Sequence, residues 1–294
     1  MDAAVIIGFS YDNNLYGRST DRTFLPGILI DIYRSYKYVE SVTSNKNITV
    51  ITDLVMDPNI TDLKESIVKS IVDLEIINTI RDLDVKGYLH SFSSKADLLI
   101  KVKSVCKNCR KIFIYYTGHA LNGNILLPLS NLEVCYKYNR IVDSSISFSV
   151  LRDIICSNSK KNAEIFSILD CCNSNGFDLP YKIINGVFRL TMKSNKVYPT
   201  QKFICLSSTS SDEVSASSKN GSIFTNIFFD NFGVERSLIN LLGIVLEECK
   251  MKFDQTVTVN STYPDLKLIW KWLLTPKDIF VKFNIIENYF IIKN

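Results

Sequence analysis

Two stretches of this chain end in residues that can do covalent chemistry. Lys111–Ala120, KIFIYYTGHA, is an apolar, β-branched and aromatic run that stops on Thr117, Gly118 and His119. Glu164–Asn175, EIFSILDCCNSN, does the same and stops on Asp170, Cys171 and Cys172. A thiol is a weak nucleophile until a neighbouring imidazole takes or shares its proton. Two buried strands that deliver a His and a Cys to one edge of a sheet therefore make a nucleophile–base pair. Period-2 alternation sends Cys171 and Cys172 to opposite faces, so only one of them can meet His119. The chain has 2 histidines. The second, His90 in GYLHSF, belongs to no motif and reads as a surface or loop residue.

The elements that must position these residues alternate between strand and helix. Strands are expected at residues 3–9, 47–53, 112–116, 124–128, 165–169 and 203–206, from short β-branched runs bounded by turn residues. Helices are expected in the later part of 21–36, and at 63–83, 94–105, 147–156, 223–232 and 236–253. Ser93 or Ser94 is the expected cap of the third of these. Residues 256–259 or 266–270 supply a sixth strand. Residues 177–202 read as a mobile connection with some strand, residues 207–222 as a Ser-rich loop, and residues 279–292 receive no assignment. Strand–helix alternation implies an α/β fold: a mostly parallel sheet of six or more strands, flanked by helices on both faces. Ligands on such sheets bind outside the carboxyl ends of the strands, where His119 and Cys172 both fall.

Bulk properties exclude several function classes. The net charge of +4 is spread along the chain with no block of Lys and Arg, which argues against nucleic-acid and membrane-surface partners. No apolar run approaches the ~18–20 residues of a membrane span. The start, MDAAVIIGFSYDNN, lacks the basic and long apolar regions of a signal peptide. The 8 dispersed cysteines fit a reducing compartment, so a cytoplasmic location is expected. Cys106-x-x-Cys109 has no second pair to complete a zinc site and reads as structural.

The motifs carry a closer resemblance. Tyr116-Thr117-Gly118-His119-Ala120 resembles the metacaspase motif Y-S-G-H-G, and Asp170-Cys171-Cys172-Asn173-Ser174-Asn175 resembles its D-S-C-H-S-G. Ala4–Phe9 is similar to that family's first strand, and Gly17-Arg18-Ser19-Thr20-Asp21 falls where it has G-C-x-N-D. Ser94–Leu98 resembles its T-K-A-N-I helix start. Phe203–Ser208, with Asp212, Glu213 and Gly221–Thr225 beyond, resembles its I-S-G-C-x-D-D and G-A-F-T segments. The resemblance runs in order over roughly residues 4–230. His119 also precedes Cys172 by about 50 residues, as in caspases.

The resemblance implies a caspase–haemoglobinase fold in a single domain over residues 1–294. Residues 1–176 would match the large-subunit part, 177–202 a linker and 203–294 the small-subunit part. It implies a cysteine endopeptidase that cleaves peptides and proteins after Arg or Lys. In the D-x-C register Cys172 is the nucleophile, with His119 as base and acid. The N–H groups of Ala120 and Cys172 form the oxyanion hole. Asp21, Thr117, Asp170 and Ser207 form the pocket for the basic side chain. Ala120 stands where the family has Gly, and Asn173 and Asn175 replace its His and Gly. The acidic loop that follows the His motif in many metacaspases is missing, and after the Cys only Asp178 is available as a calcium ligand. No metal and no cofactor are therefore expected. Two alternatives stay open: a catalytically inactive homologue that binds peptides or partners, and a caspase-like enzyme that cleaves after Asp through Arg18.

Overall fold

The computed structural model describes residues 1–11, 24–43, 47–57, 60–63, 74–128, 145–174, 176–184, 187–190, 198–232 and 238–263. Its centre is four apolar strands: β1 (Ala3–Gly8), β6 (Lys111–Thr117), β10 (Glu164–Asp170) and β13 (Lys202–Ser207). Between β1 and β6 the chain forms α1 (Ile28–Val42), β2 (Ile48–Thr52), β3 (Val55–Asp57), β4 (Ile60–Leu63), α2 (Leu74–Val85), β5 (Leu89–His90) and α3 (Lys95–Cys106). Between β6 and β10 come β7 (Ala120–Leu121), β8 (Asn124–Ile125), β9 (Ile146–Ser147) and α4 (Phe148–Asn158). Beyond β10 lie β11 (Tyr181–Ile184) and β12 (Val187–Leu190). After β13 follow β14 (Ser217–Ser218), β15 (Gly221–Ser222), α5 (Ile223–Phe232), α6 (Leu238–Phe253) and β16 (Thr258–Ser261).

The strands order as β12-β11-β16-β13-β10-β6-β1-β2-β5 in one nine-stranded sheet. The run from β13 to β5 is parallel and the other three strands are antiparallel. Alternation divides the central strands between two cores. Ala4, Ile6, Phe113, Tyr115, Phe166, Ile168, Ile204 and Leu206 pack with α1, α2, α5 and α6. Val5, Ile7, Ile112, Ile114, Tyr116, Ile165, Leu169, Phe203 and Cys205 pack with α3 and α4 on the other face. Both faces are covered, as a parallel sheet requires, and each large apolar side chain fully buried there stabilises the fold by about 1.5–3 kcal/mol.

The local reading of several elements agrees with the structure. Ser94 caps α3 by accepting from the Asp97 N–H at 3.1 Å, and Ser147 caps α4 by accepting from Val150 at 3.2 Å. Cys106 and Cys109 are buried at the end of α3, where Cys109 donates to the Val105 carbonyl. His90 sits on the edge strand β5, partly exposed.

Other regions differ. Of the helix expected at 63–83, residues 74–83 fall in α2, residues 64–73 lie outside the described residues, and Leu63 instead ends a strand, Ile60–Leu63, paired with β3. Pro26 lies just before α1, which starts at Ile28 because Pro and Gly27 do not propagate a helix. The sixth expected strand is β16, and it runs antiparallel to β13. Two helices, one leading away and one leading back, return the chain to the sheet end it left, so the next strand must reverse. The expected connection at 177–202 contains the hairpin β11–β12, which pairs onto β16. Residues 191–197, 266–270 and 279–292 lie outside the described residues.

Candidate active site

β6 and β10 are neighbours in register, with Asp170 opposite Thr117. The residues just beyond both strands therefore meet at one sheet edge. There they line a cleft of about 630 Å³ together with Phe24, Leu25, Ile28, Val214, Ser215 and Lys219. Thr117, His119, Asp170, Cys171 and Cys172 all contribute to its wall.

His119 is held by hydroxyl groups that do not belong to its motif. Its N–H donates to the Tyr11 hydroxyl at 2.9 Å, and its carbonyl accepts from the Tyr116 hydroxyl at 2.6 Å. Tyr11 in turn donates to the Leu126 carbonyl at 2.7 Å and stacks on the imidazole with ring centroids 4.6 Å apart. Tyr11 has φ 55, and its N–H and that of Ser10 both donate to Asp53 at the end of β2. The carboxylate of Asp53 thus fixes the turn after β1, which fixes Tyr11, which fixes His119. Gly118 is required between these groups. Its φ is 151, and a Cβ there would come within 2.8 Å of the Tyr116 hydroxyl and 2.9 Å of that of Tyr11.

At the end of β10 the two cysteines separate as alternation requires. Cys171 is 1% exposed and belongs to the α3–α4 core, and burial pushes its thiol well above the ordinary range. Cys172 is half-buried in the cleft. Burial pushes its thiol up as well, and the Asp170 carboxylate adds to this, while the Ser215 N–H, donating to Sγ at 3.3 Å, pulls it down. The turn that follows is closed by Asn173 at φ 50, whose N–H donates to the Glu213 carbonyl at 2.9 Å.

Asp170 is 3% exposed and lies in the cleft wall among hydroxyls. It accepts from Ser215 at 2.9 Å and from Thr225, which shares a hydrogen bond with Tyr115. The Ser222 hydroxyl stands beside Asp170 but completes no hydrogen bond of good geometry. A second carboxylate lies close behind. Asp31, on the first turn of α1 and fully buried, accepts from Thr117 at 3.1 Å and from the Ser222 N–H at 2.9 Å. Burial pushes both carboxyls up. The Asp170 charge adds to the rise at Asp31, and the hydroxyls around Asp170 work against the rise there.

Asp31 was not identified from sequence, although a signal for it exists. The G-x-x-x-D spacing of Gly17–Asp21 recurs at Gly27–Asp31, where the Asp falls in the first turn of α1 and accepts from Thr117 of β6. Gly27 is also the point where this segment meets β14, since a Cβ there would fall 2.2 Å from the Ser218 carbonyl. Asp21 and Arg18 lie outside the described residues, as does Asn175. Thr117 reaches the pocket as expected, but Ser207 does not line the cleft. Ser207 shares the strand face of Cys205, whose Sγ is 3.8 Å from its hydroxyl, and Ser208 turns the other way to accept from the Cys171 N–H at 3.1 Å. Strand alternation therefore puts the hydroxyls of Ser207 and Ser208 on opposite faces of the sheet.

Ala120 is fully buried and its φ is not positive, so its Cβ meets no conformational penalty in place of Gly. Leu126 donates to the His119 carbonyl, which makes Ala120 and Ile125 a non-hydrogen-bonded pair. The Ala120 N–H therefore points away from β8. Among the described residues no cluster of three or more His, Cys, Asp or Glu is arranged to hold a metal ion. No helix of the described residues is long and apolar enough to cross a membrane.

A mostly parallel sheet, covered on both faces, thus carries His119 and Cys172 in the wall of one cleft beyond the carboxyl ends of adjacent strands. The family model described as the caspase domain matches residues 1–264, and the chain belongs to that family. No curated protein sequence matches it significantly. A Geobacter sulfurreducens protein of known structure shares the fold, with a TM-score of 0.53 at 11% identity over 91% of this chain and 96% of that one. Caspase-1 from Spodoptera frugiperda also aligns, with a TM-score of 0.46 at 12% identity over 89% of this chain and 86% of that one.

Proposed function

We propose that this protein is a cysteine endopeptidase of the metacaspase type that cleaves after Arg or Lys. The observation that carries this reading is the buried carboxylate Asp170 in the wall of the cleft that holds Cys172, with a second buried carboxylate, Asp31, behind it. The guanidinium of nearby Arg34 is engaged with Asp230. Two carboxyls held this close with hydroxyls around them select a cation, and a guanidinium matches two acceptors better than an ammonium does. An acidic side chain in the same place would be repelled.

In this reading the Cys172 thiolate attacks the carbonyl carbon of the basic residue, and His119 takes the thiol proton. The negative charge that develops on the carbonyl oxygen is received by the N–H groups of Cys172 and Ala120. His119 then gives its proton to the leaving amine, and water clears the acyl-enzyme. The polar hold on the His119 backbone from Tyr11 and Tyr116 keeps the imidazole in place throughout.

The test is turnover of matched fluorogenic peptides that differ only in Arg, Lys or Asp before the scissile bond. The expected order is Arg over Lys, with Asp uncleaved. A preference for Asp would assign the pocket to Arg18. No turnover by folded protein, with Cys172 unlabelled by an Arg-directed thiol probe, would make the protein a binding homologue.

A further inference from the structure

The nucleophile candidate and the specificity carboxylate are tied together more closely than two neighbouring sites need to be. Asp170 stands two residues before Cys172 on the same strand end. Ser215 contacts both, with its N–H on Cys172 Sγ at 3.3 Å and its hydroxyl on Asp170 Oδ1 at 2.9 Å. The Ser215 segment is held from behind. Ser208 donates to the Ser215 hydroxyl at 3.2 Å, Gln255 accepts from the Ala216 N–H at 3.2 Å, and Glu213 accepts from the Thr256 N–H at 2.8 Å. The thiol and the carboxylate therefore share one neighbour, Ser215.

We propose that Asp170 restrains the Cys172 thiol while the pocket is empty, and that a cation seated on Asp170 releases it, so that a substrate of the right charge activates its own nucleophile. The inference rests on the basic-residue reading of the pocket and adds a second role for Asp170. The physical chain is short. A thiolate beside a carboxylate suffers like-charge repulsion in a site with little water to screen it. The Ser215 and Thr225 hydroxyls both donate to Asp170, which favours its charged form. A guanidinium on Asp170 cancels that charge at the thiol, while the Ser215 N–H continues to favour the thiolate.

The other titratable groups do not supply the same control. Around Cys172 these are Cys171 on its own strand end, His119 from β6, and Lys219 across the cleft. Around Asp170 they are Asp31 and Arg34 from α1, Tyr115 from β6 and Cys249 from α6. Tyr115 and Cys249 are both pushed up by burial and stay neutral at physiological pH. Asp170 is therefore the negative charge nearest Cys172 that a substrate can cancel.

The experiment needs no peptidase turnover. The rate of iodoacetamide alkylation at Cys172, read by mass spectrometry of the peptide that carries it, is followed against pH with and without methylguanidinium. Binding of methylguanidinium is read separately as a rise in melting temperature. The expected result is a fall of about one pH unit in the wild-type midpoint when the cation is present. Asp170→Asn should show the lower midpoint from the start and should not respond. A wild-type midpoint that stays put while the melting temperature rises would overturn the coupling and leave the pocket standing. An Asp170→Asn midpoint equal to the wild-type value would overturn it as well. No rise in melting temperature would remove the cation pocket and the coupling together.

Discussion

The ends of β6 and β10 are adjacent, yet they hold their reactive residues in different ways. His119 is 4% exposed and locked by Tyr11 and Tyr116, whose rings are part of the core beneath it. Cys172 is half-buried, and the described contact on its sulfur is one N–H from a surface segment whose neighbour, Val214, is 49% exposed. The base is built into the core and the nucleophile is held by a segment at the mouth of the cleft. A buried hydroxyl network resists movement because each broken bond leaves an unpaired polar group. A backbone contact from an exposed segment yields at much lower cost, so change at this site should come from the Cys172 side.

The largest effect that would test this contrast is on the thiol itself. Cys172→Ala should abolish peptide cleavage, while Cys171→Ala should leave most of it and lower stability through lost core contacts. Survival of activity in folded Cys172→Ala together with loss in Cys171→Ala would exchange the two roles.

Next come the carboxylates. Losing one partner of a desolvated charge pair costs about 2–5 kcal/mol, and about 1.4 kcal/mol is tenfold. Asp170→Asn should lower kcat/KM for an Arg peptide by about one to three powers of ten, and Asp31→Asn, behind it and outside the cleft wall, by less. An unchanged value for Asp31→Asn would mean that Asp31 only ties Thr117 to Ser222 and does not help bind the cation.

A smaller loss is expected on the rigid side. Tyr11→Phe removes the acceptor of the His119 N–H and the donor to the Leu126 carbonyl. Leaving such groups unpaired costs about 1–3 kcal/mol, so melting temperature should fall. Turnover should fall by about tenfold through kcat, with the KM for the Arg peptide little changed. A change confined to KM would show that Tyr11 shapes the pocket instead of the imidazole.

The smallest effect is a pH dependence of stability. Asp31 and Asp170 both have folded-state pKa values raised above their ordinary ones. The stability they contribute is full below the ordinary carboxylate value of about 4, and is lost as pH rises through the raised values. Asp31→Asn should therefore melt higher than wild type at neutral pH, and the gain should disappear as pH falls toward 4. Equal melting temperatures at neutral pH would mean that the pair is not strained when the pocket is empty.

How much of this was legible depended on the range of the interaction involved. β1, β6, β10 and β13, the Ser94 and Ser147 caps and the helix at Ile223–Phe232 follow from local pattern, because periodicity and capping act within a few residues. His119 and Cys172 stood out because each follows an apolar strand, and Thr117 and Asp170 because the metacaspase resemblance implies them. Asp31 escaped because its contact with Thr117 spans 86 positions in the chain, which local spacing does not encode. Ser207 was read as a pocket residue because the motif marks the strand end and not the face each side chain takes. Tyr11 is a loop residue whose contact with His119 spans 108 positions in the chain.

By itself the sequence determined that two strands would carry a His and a Cys to one sheet edge, since alternating apolar residues buried on both faces force parallel neighbours. Tertiary packing alone decided which carboxylate faces Asp170, which serine reaches Cys172, and what holds His119 still. Those choices depend on side chains far apart in the chain that meet only when α1, the turn after β1 and the segment before β14 close over the strand ends.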